Sequence, residues 1–279
     1  MKSNSLNILV PTDFSNNAWS ATVYALSLYA EHKCTFYFLN SLALSHADSR
    51  AYMTTRYVDT LTETSKRELN EWKARAMKLD NTNHNFEMIY TSEDIIPAIN
   101  RAVKQHQIDL VVAGTKGASG VTKYFLGSNA VKMIQNLEVS PMLAVPDNHE
   151  FKAPKHIAFP TDFNRVFNAK ELKVLTDFAD LFKSHIYILH INLKEELSDV
   201  QQNNRRALQA HMENSEHTFH WMDKSGTKSD EINEFIEDFK IDLLAMFNYK
   251  HSFVENIMKE PVIKKIGFQL TVPFLVIPE

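Results

Sequence analysis

Short apolar runs alternate with longer stretches of helical spacing along this chain. The run at residues 7–10, closed by Pro11, reads as a buried strand, because four to eight apolar residues ended by a breaker fit a strand better than a helix. Ser15 can cap a following helix over residues 16–31, where Ala18, Ala21, Ala25 and Leu28 fall near helical spacing. The pattern then predicts a strand at 36–39, a long charged helix at 60–78 and a strand at 86–90. A helix over 93–105 capped by Ser92, a strand at 110–113, a helix containing 129–135 and a strand at 142–145 complete the set. Strands alternating with helices imply an α/β fold with an open parallel five-stranded sheet flanked by helices. Such sheets bind ligands beyond the carboxyl ends of their strands, where the strand order reverses.

The pattern occurs twice. Ile8-Leu9-Val10-Pro11-Thr12-Asp13-Phe14 returns as Ile157-Ala158-Phe159-Pro160-Thr161-Asp162-Phe163, with five of seven positions identical. Phe36–Asn40 is echoed by Ile186–His190, Ile108-Asp109-Leu110 by Ile241-Asp242-Leu243, and Ser140–Pro146 by Val272–Pro278. Echoes in the same order indicate a tandem duplication. The offset falls from 149 at Ile8/Ile157 to 132 at Pro141/Pro273, so the second copy is shorter. The missing part corresponds to the polar stretch near residues 45–64. The expected domains are 1–148 and 154–279, joined by a polar seam around 147–154.

The 279 residues carry a net charge of −4, with 44% apolar and 23% charged residues, an ordinary balance for a globular chain. That balance argues against broad nucleic-acid binding, which needs a basic surface. No run approaches the ~18 apolar residues of a membrane span. No export signal is visible, which makes the cytoplasm the expected compartment. Cys34, the only cysteine, sits in an apolar run and reads as a strand residue.

The glycines are concentrated. Four of six lie at Gly114, Gly117, Gly120 and Gly127, directly after the fourth strand. Such a loop can present N–H groups to an anion, and Gly127-Ser128 then opens a helix whose free amides favour phosphate. Lys116 and Lys123 could offset charge nearby. A turn that merely ends a strand is the alternative. The spacing is neither that of a Gly-Lys-Ser/Thr phosphate loop nor that of the dinucleotide fingerprint.

Gly114-x2-Gly117-x9-Gly127-Ser128 resembles the G-2x-G-9x-G-[S/T] signature of ATP-binding universal stress proteins. Pro11-Thr12-Asp13-Phe14-Ser15 and the closing Ser140–Pro146 also resemble that family. The resemblance implies a Rossmann-like fold of the adenine nucleotide alpha hydrolase kind, and a site for ATP or another adenine nucleotide that could carry Mg²⁺. By resemblance, Pro11, Thr12 and Asp13 line the adenosine pocket, and Asn40 and Ser41 flank the base. Ala113, Gly114, Lys116 and Gly117 bound ribose and phosphates, and Gly127, Ser128, Asn129 and Ala130 hold phosphates at the helix start. Thr91-Ser92-Glu93 stands where the family has Gly-x-Pro. Asp13 could equally be a helix-leading residue satisfied by nearby amides.

The second copy lacks the signature. Phe247 aligns with Gly114, Lys250 with Gly117, Lys259 with Gly127 and Glu260 with Ser128. A ring and a carboxylate would then stand where phosphate binds in the first copy. This half is expected to be degenerate, free for a different ligand, and able to serve as a built-in partner through its last strand, as paired domains do in the family. A homodimer remains open. His217 and His220, three apart in a strand, point to opposite faces and make a poor metal pair. His190 reads as a hydrogen-bonded histidine near the core. No catalytic residue is evident. A nucleotide-binding stress or regulatory protein is the leading reading, against a slow ATP hydrolase or an interaction module with a vestigial loop.

Overall fold

The computed structural model describes residues 5–42, 55–79, 84–115, 127–137, 139–192, 196–223, 228–249 and 270–279. The chain divides into two compact units, Met1–Phe151 and Lys152–Glu279. Unit 1 contains β1 (Leu6–Pro11), α1 (Asn16–Leu28), β2 (Cys34–Ser41), α2 (Thr55–Met77), β3 (His84–Thr91), α3 (Ile95–His106), β4 (Leu110–Gly114), α4 (Ser128–Asn136) and β5 (Met142–Val145). Its strands lie in the order β3-β2-β1-β4-β5. The described pairings are parallel, with Ile8 opposite Phe36 and Leu110, and Gly114 opposite Val145.

Unit 2 contains β6 (His156–Pro160), α5 (Ala169–Phe182), β7 (His185–Asn192), α6 (Asp199–His211), β8 (His217–Asp223), α7 (Lys228–Asp238), β9 (Leu243–Asn248) and β10 (Phe274–Pro278). Its order β8-β7-β6-β9-β10 repeats that of unit 1 strand for strand. The copies differ most at α2, of 23 residues, against α6, of 13. This difference of 10 residues is part of the 17-residue fall in offset, and residues 45–54 of the expected stretch lie outside the described residues.

The central strands are apolar throughout because both faces of each sheet are covered. Ile8, Leu9 and Val10 are wholly buried, as are Val111 and Val112. Each such side chain contributes about 1.5–3 kcal/mol on leaving water. In unit 1, α1 packs on β4 and β5, and α2 packs on β2 and β3. The two helices meet edge to face at Trp19 and Trp72, with ring centroids 5.0 Å apart. α3 lies along β1 and β2 and touches α4. Cys34 is buried in β2, as its apolar run predicts, and burial with the nearby Asp109 charge pushes its thiol up to about 12.

Local signals set most boundaries. Ser15 caps α1, its Oγ accepting from the Ala18 amide at 3.2 Å. Asn168 and Glu171 form a capping box at α5, and Ser198 and Gln201 form another at α6. Ser92 does not cap α3 as the sequence suggests. Asp94 takes that position, with no side-chain cap bond, because residues 91–93 are held in a turn. Thr91 Oγ1 accepts from the Glu93 amide at 3.2 Å, and the Glu93 carboxylate pairs with Arg101 of α3.

Candidate functional site

In unit 1, β1 is flanked by β2 and β4, and the strand order reverses at the β1/β4 pair. The crevice at the carboxyl end of β1 is where an open α/β sheet admits a ligand. Pro11, Thr12 and Asp13 form its floor. Pro11 and Thr12 are buried, and Asp13 is exposed.

The Pro-Thr-Asp-Phe turn is held by a fixed set of bonds. The Thr12 amide donates to the Leu39 carbonyl at 2.8 Å. Thr12 Oγ1 accepts from the Phe14 amide at 2.9 Å, and Asp13 Oδ1 accepts from the Ser15 amide at 3.1 Å. Phe14 sits at φ 62°, an uncommon conformation for a bulky residue, held here by those bonds and by the Trp72 ring 5.8 Å away.

Unit 2 builds the same turn. Thr161 donates its amide to Leu189, Thr161 Oγ1 accepts from Phe163 at 3.2 Å, and Asp162 Oδ1 accepts from Asn164 at 3.0 Å. Phe163 has φ 55°. The five identities between the copies therefore have a structural cause that operates with or without a glycine loop. One carboxylate oxygen of Asp13 thus has the helix-leading role.

Asn40 is buried at the end of β2. Its Nδ2 donates to the Thr12 carbonyl at 2.8 Å, and its Oδ1 accepts from Ser65 of α2 at 2.6 Å. The side chain thus braces the floor of the crevice. His190 occupies the same position in unit 2, its Nδ1 lying 2.9 Å from the Thr161 carbonyl and its ring stacked on Phe163 at 4.9 Å. Burial pulls its pKa below the ordinary imidazole value, against an upward pull from the Thr161 carbonyl. His190 is thus the hydrogen-bonded core histidine that the sequence suggests. Ser41 ties β2 to the next connection, its hydroxyl donating to the Glu93 carbonyl. Ser65 is the residue that sequence reasoning missed, since nothing in its spacing links α2 to Asn40.

The fourth strand ends at Ala113, buried, and Gly114. A Cβ on Gly114 would lie 2.1 Å from Asn17 Oδ1 and 2.9 Å from the Asn17 carbonyl oxygen. Glycine is required here so that α1 can close on β4. Lys116 and Gly117, with Ser119, Gly120 and Lys123, lie outside the described residues, as do Lys250, Lys259, Glu260 and Pro261.

Beyond that segment the chain returns to the same strand end. The Gly127 amide donates to the Thr115 carbonyl, and the Thr115 amide donates to Val145 at 3.0 Å. Gly127 is the N-cap of α4, with φ −66° and ψ 159° and no side-chain cap bond. Any residue can adopt that backbone, so conformation does not demand glycine there. Ser128 and Asn129 are exposed on the first turn, while Ala130 is buried and anchors the helix. Among the described residues no side chain caps the first amides of the helix, an arrangement suited to an anion. The structure thus brings Pro11, Thr12, Asp13, Asn40, Ala113, Gly114 and Gly127–Ala130 to the carboxyl ends of three adjacent strands, with Asn40 and Gly114 in supporting roles.

Among the described residues, no group of three or more His, Cys, Asp and Glu is placed to hold a metal ion. No helix among them is long and apolar enough to cross a membrane.

The Universal stress protein family matches residues 5–146. A crystal structure of a universal stress protein from Archaeoglobus fulgidus DSM 4304 is similar over 99% of this chain and 97% of its own, with a TM-score of 0.73 at 16% identity. A functionally unknown protein from Pseudomonas aeruginosa PAO1 is similar over 99% of this chain and 93% of its own, with a TM-score of 0.59 at 12% identity. At these identities the likeness is one of fold. A universal stress protein crystallised in complex with cAMP covers 51% of this chain and 98% of its own, at 20% identity and a TM-score of 0.38. No curated protein matches the chain.

Proposed function

This chain belongs to the universal stress protein family, and from that premise we propose that unit 1 binds an adenine nucleotide, ATP first among them, in the crevice at the ends of β1 and β4. The observation that carries the reading is the start of α4. Glycine, itself a common N-cap, stands there and leaves the position without a side-chain oxygen, although its backbone would accept Ser, Thr, Asp or Asn. Such a side chain would place an oxygen where a phosphate oxygen could sit. Leaving the place open, next to the exposed hydroxyl of Ser128, suits an external anion.

The base and ribose lie toward Thr12, Asp13 and Ser41. The phosphates lie toward Gly127, Ser128 and Asn129. Mg²⁺ bound with the nucleotide would neutralise part of the phosphate charge. Occupancy is a regulatory signal read by partners in the cytoplasm, and chemistry on the nucleotide is secondary. Unit 2 has lost the phosphate loop and serves unit 1 as an attached partner.

Acid release of small molecules from the purified chain, followed by mass spectrometry, tests the proposal. About one adenine nucleotide per chain is expected, or a rise in the unfolding midpoint of unit 1 on adding millimolar ATP to an empty preparation. An empty chain whose midpoint ATP does not move contradicts it.

A further inference from the structure

Unit 2 keeps a cavity at its own switch point, with walls of a different kind. This cavity of about 50 Å³, which opens to solvent, lies at the carboxyl ends of β6, β7 and β9 under α7. Its base is formed by Phe159, Phe167, Leu189, Ile232, Met246 and Phe247, all buried. Phe159, Phe167 and Phe247 pack against one another with centroids 4.8 to 5.5 Å apart, so the base is a set of fixed rings. Space of this kind favours an apolar ligand body.

The mouth is polar and divided by charge. On one side stands the Asp162 carboxylate, one oxygen of which accepts from the Asn164 amide. A shallow groove continues from it past Arg165, Glu171, Tyr249 and Glu279. Arg165 is committed there. It pairs with Glu171 and, at 3.5 Å, with Glu279, and lies over the Tyr249 ring at 4.5 Å. That side therefore retains negative charge. Burial, then the Asp162 charge, push the Tyr249 phenol up to about 12, so it remains a neutral hydroxyl able to donate. On the other side Lys228 opens α7 at the rim. No ion pair within 4.0 Å holds Asp162 or Lys228 to another described residue.

A nucleotide does not suit this cavity. Its phosphates would meet Asp162, Glu171 and Glu279, and Phe247 fills the place that Gly114 holds in unit 1. An apolar body carrying only one charge would leave the opposite charge at the mouth without a partner. We propose that the cavity binds a small zwitterion with an apolar side chain, of the α-amino-acid type. Its ammonium lies on Asp162, its carboxylate is taken by Lys228 and the Tyr249 hydroxyl, and its side chain rests on the phenylalanine base. The site is separate from the nucleotide crevice proposed for unit 1.

The test is calorimetric titration of the full chain with L-phenylalanine, L-leucine, 3-phenylpropanoate, 2-phenylethylamine and ATP, the last in the Gly127→Glu chain so that unit 1 does not contribute. Saturable binding of the two amino acids is expected, with a loss of about tenfold or more for each single-charge analogue and no competition by ATP. Asp162→Asn should weaken the amino acids while sparing 3-phenylpropanoate, and Lys228→Met should weaken them while sparing 2-phenylethylamine. Gly127→Glu should leave amino-acid affinity unchanged whether or not the nucleotide reading of unit 1 holds. No binding of either amino acid at millimolar concentration, analogues binding as well as the zwitterions, or both variants retaining full affinity would overturn the proposal. So would competition by ATP.

Discussion

Gly114→Ala tests whether the glycine at the end of β4 exists for packing or for a ligand. The added Cβ would stand 2.1 Å from Asn17 Oδ1, 2.7 Å from Asn17 Cγ and 2.9 Å from the Asn17 carbonyl oxygen. The first two contacts belong to a side chain that can turn away, at the cost of its Nδ2 bond to Asp147 at 3.4 Å. The third is helix backbone, which can yield only if α1 moves off the sheet. Overpacking of this kind costs about 1–3 kcal/mol. Alanine recovers about 0.4–1 kcal/mol through the less flexible unfolded chain. The net expectation is a loss of about 1–2 kcal/mol in unit 1. Urea unfolding followed by tryptophan fluorescence in a Trp221→Phe background reads unit 1 alone, because Trp19 and Trp72 both belong to it. In an Asn17→Ala background two of the three close contacts are gone, so the same substitution should cost about 1 kcal/mol less. An unchanged midpoint, or an equal cost in both backgrounds, would refute the packing argument.

Cys34 should resist a disulfide reagent at pH 8 in the folded chain, since a thiol near 12 is thiolate in only about one molecule in ten thousand, and should react once guanidinium is added; rapid reaction of the native chain would contradict its burial. His190 has its pKa lowered by folding, so the unfolded chain takes up the proton first as pH falls. Its contribution to unit 2 is complete above the ordinary value of about 6.5 and is lost as pH falls from there toward the folded value, with a slope of up to about 1.4 kcal/mol per pH unit. His190→Asn, which installs the residue found at the matching place in unit 1, should flatten that part of the profile in thermal melts between pH 7 and 5, and an unchanged profile would exclude His190 as its source. Glu171→Ala removes both the carboxylate that closes the Asn168 capping box and a partner of the largely covered Arg165. It should cost unit 2 about 2–3 kcal/mol in urea unfolding, and a change below about 0.5 kcal/mol would contradict the pairing.

The fold was legible because parallel strands covered on both faces must be apolar along their whole length. The runs ending at Pro11, Leu39, Ala113 and Val145 could hardly be read otherwise. Duplication made the second unit legible from the first, including the shorter helix where the offset falls. The site was legible only in part. Spacing placed a helix start at Gly127, and the family resemblance implied a pocket at Pro11–Asp13, but neither could separate a glycine needed by a neighbouring helix from one needed by a ligand. Gly114 belongs to the first kind, because α1 approaches β4 at Asn17, a contact across almost a hundred residues. Asn40 shows the same limit. Its amide is spent on Thr12 and on Ser65, a partner on a helix whose register with β2 is set by tertiary packing. The turn at Phe14 and Phe163 was visible as a repeated word but not as a positive-φ conformation, since a bulky residue gives no local sign of it. The failure at Ser92 is of another sort. Thr91 and Arg101 hold the following residue in a turn, so the helix starts two residues later than its best capping side chain would suggest.

The central claim is that the open N-terminus of α4 holds the phosphates of an adenine nucleotide. Calorimetric titration of ATP into the wild-type chain and into Gly127→Glu addresses it most directly. A glutamate at φ −66° is unstrained but places a carboxylate at the helix start. The account predicts saturable heat for one site per chain in the wild type, and none in the variant at an unchanged unfolding midpoint. Equal affinity in the two chains, or no heat from either, would contradict it.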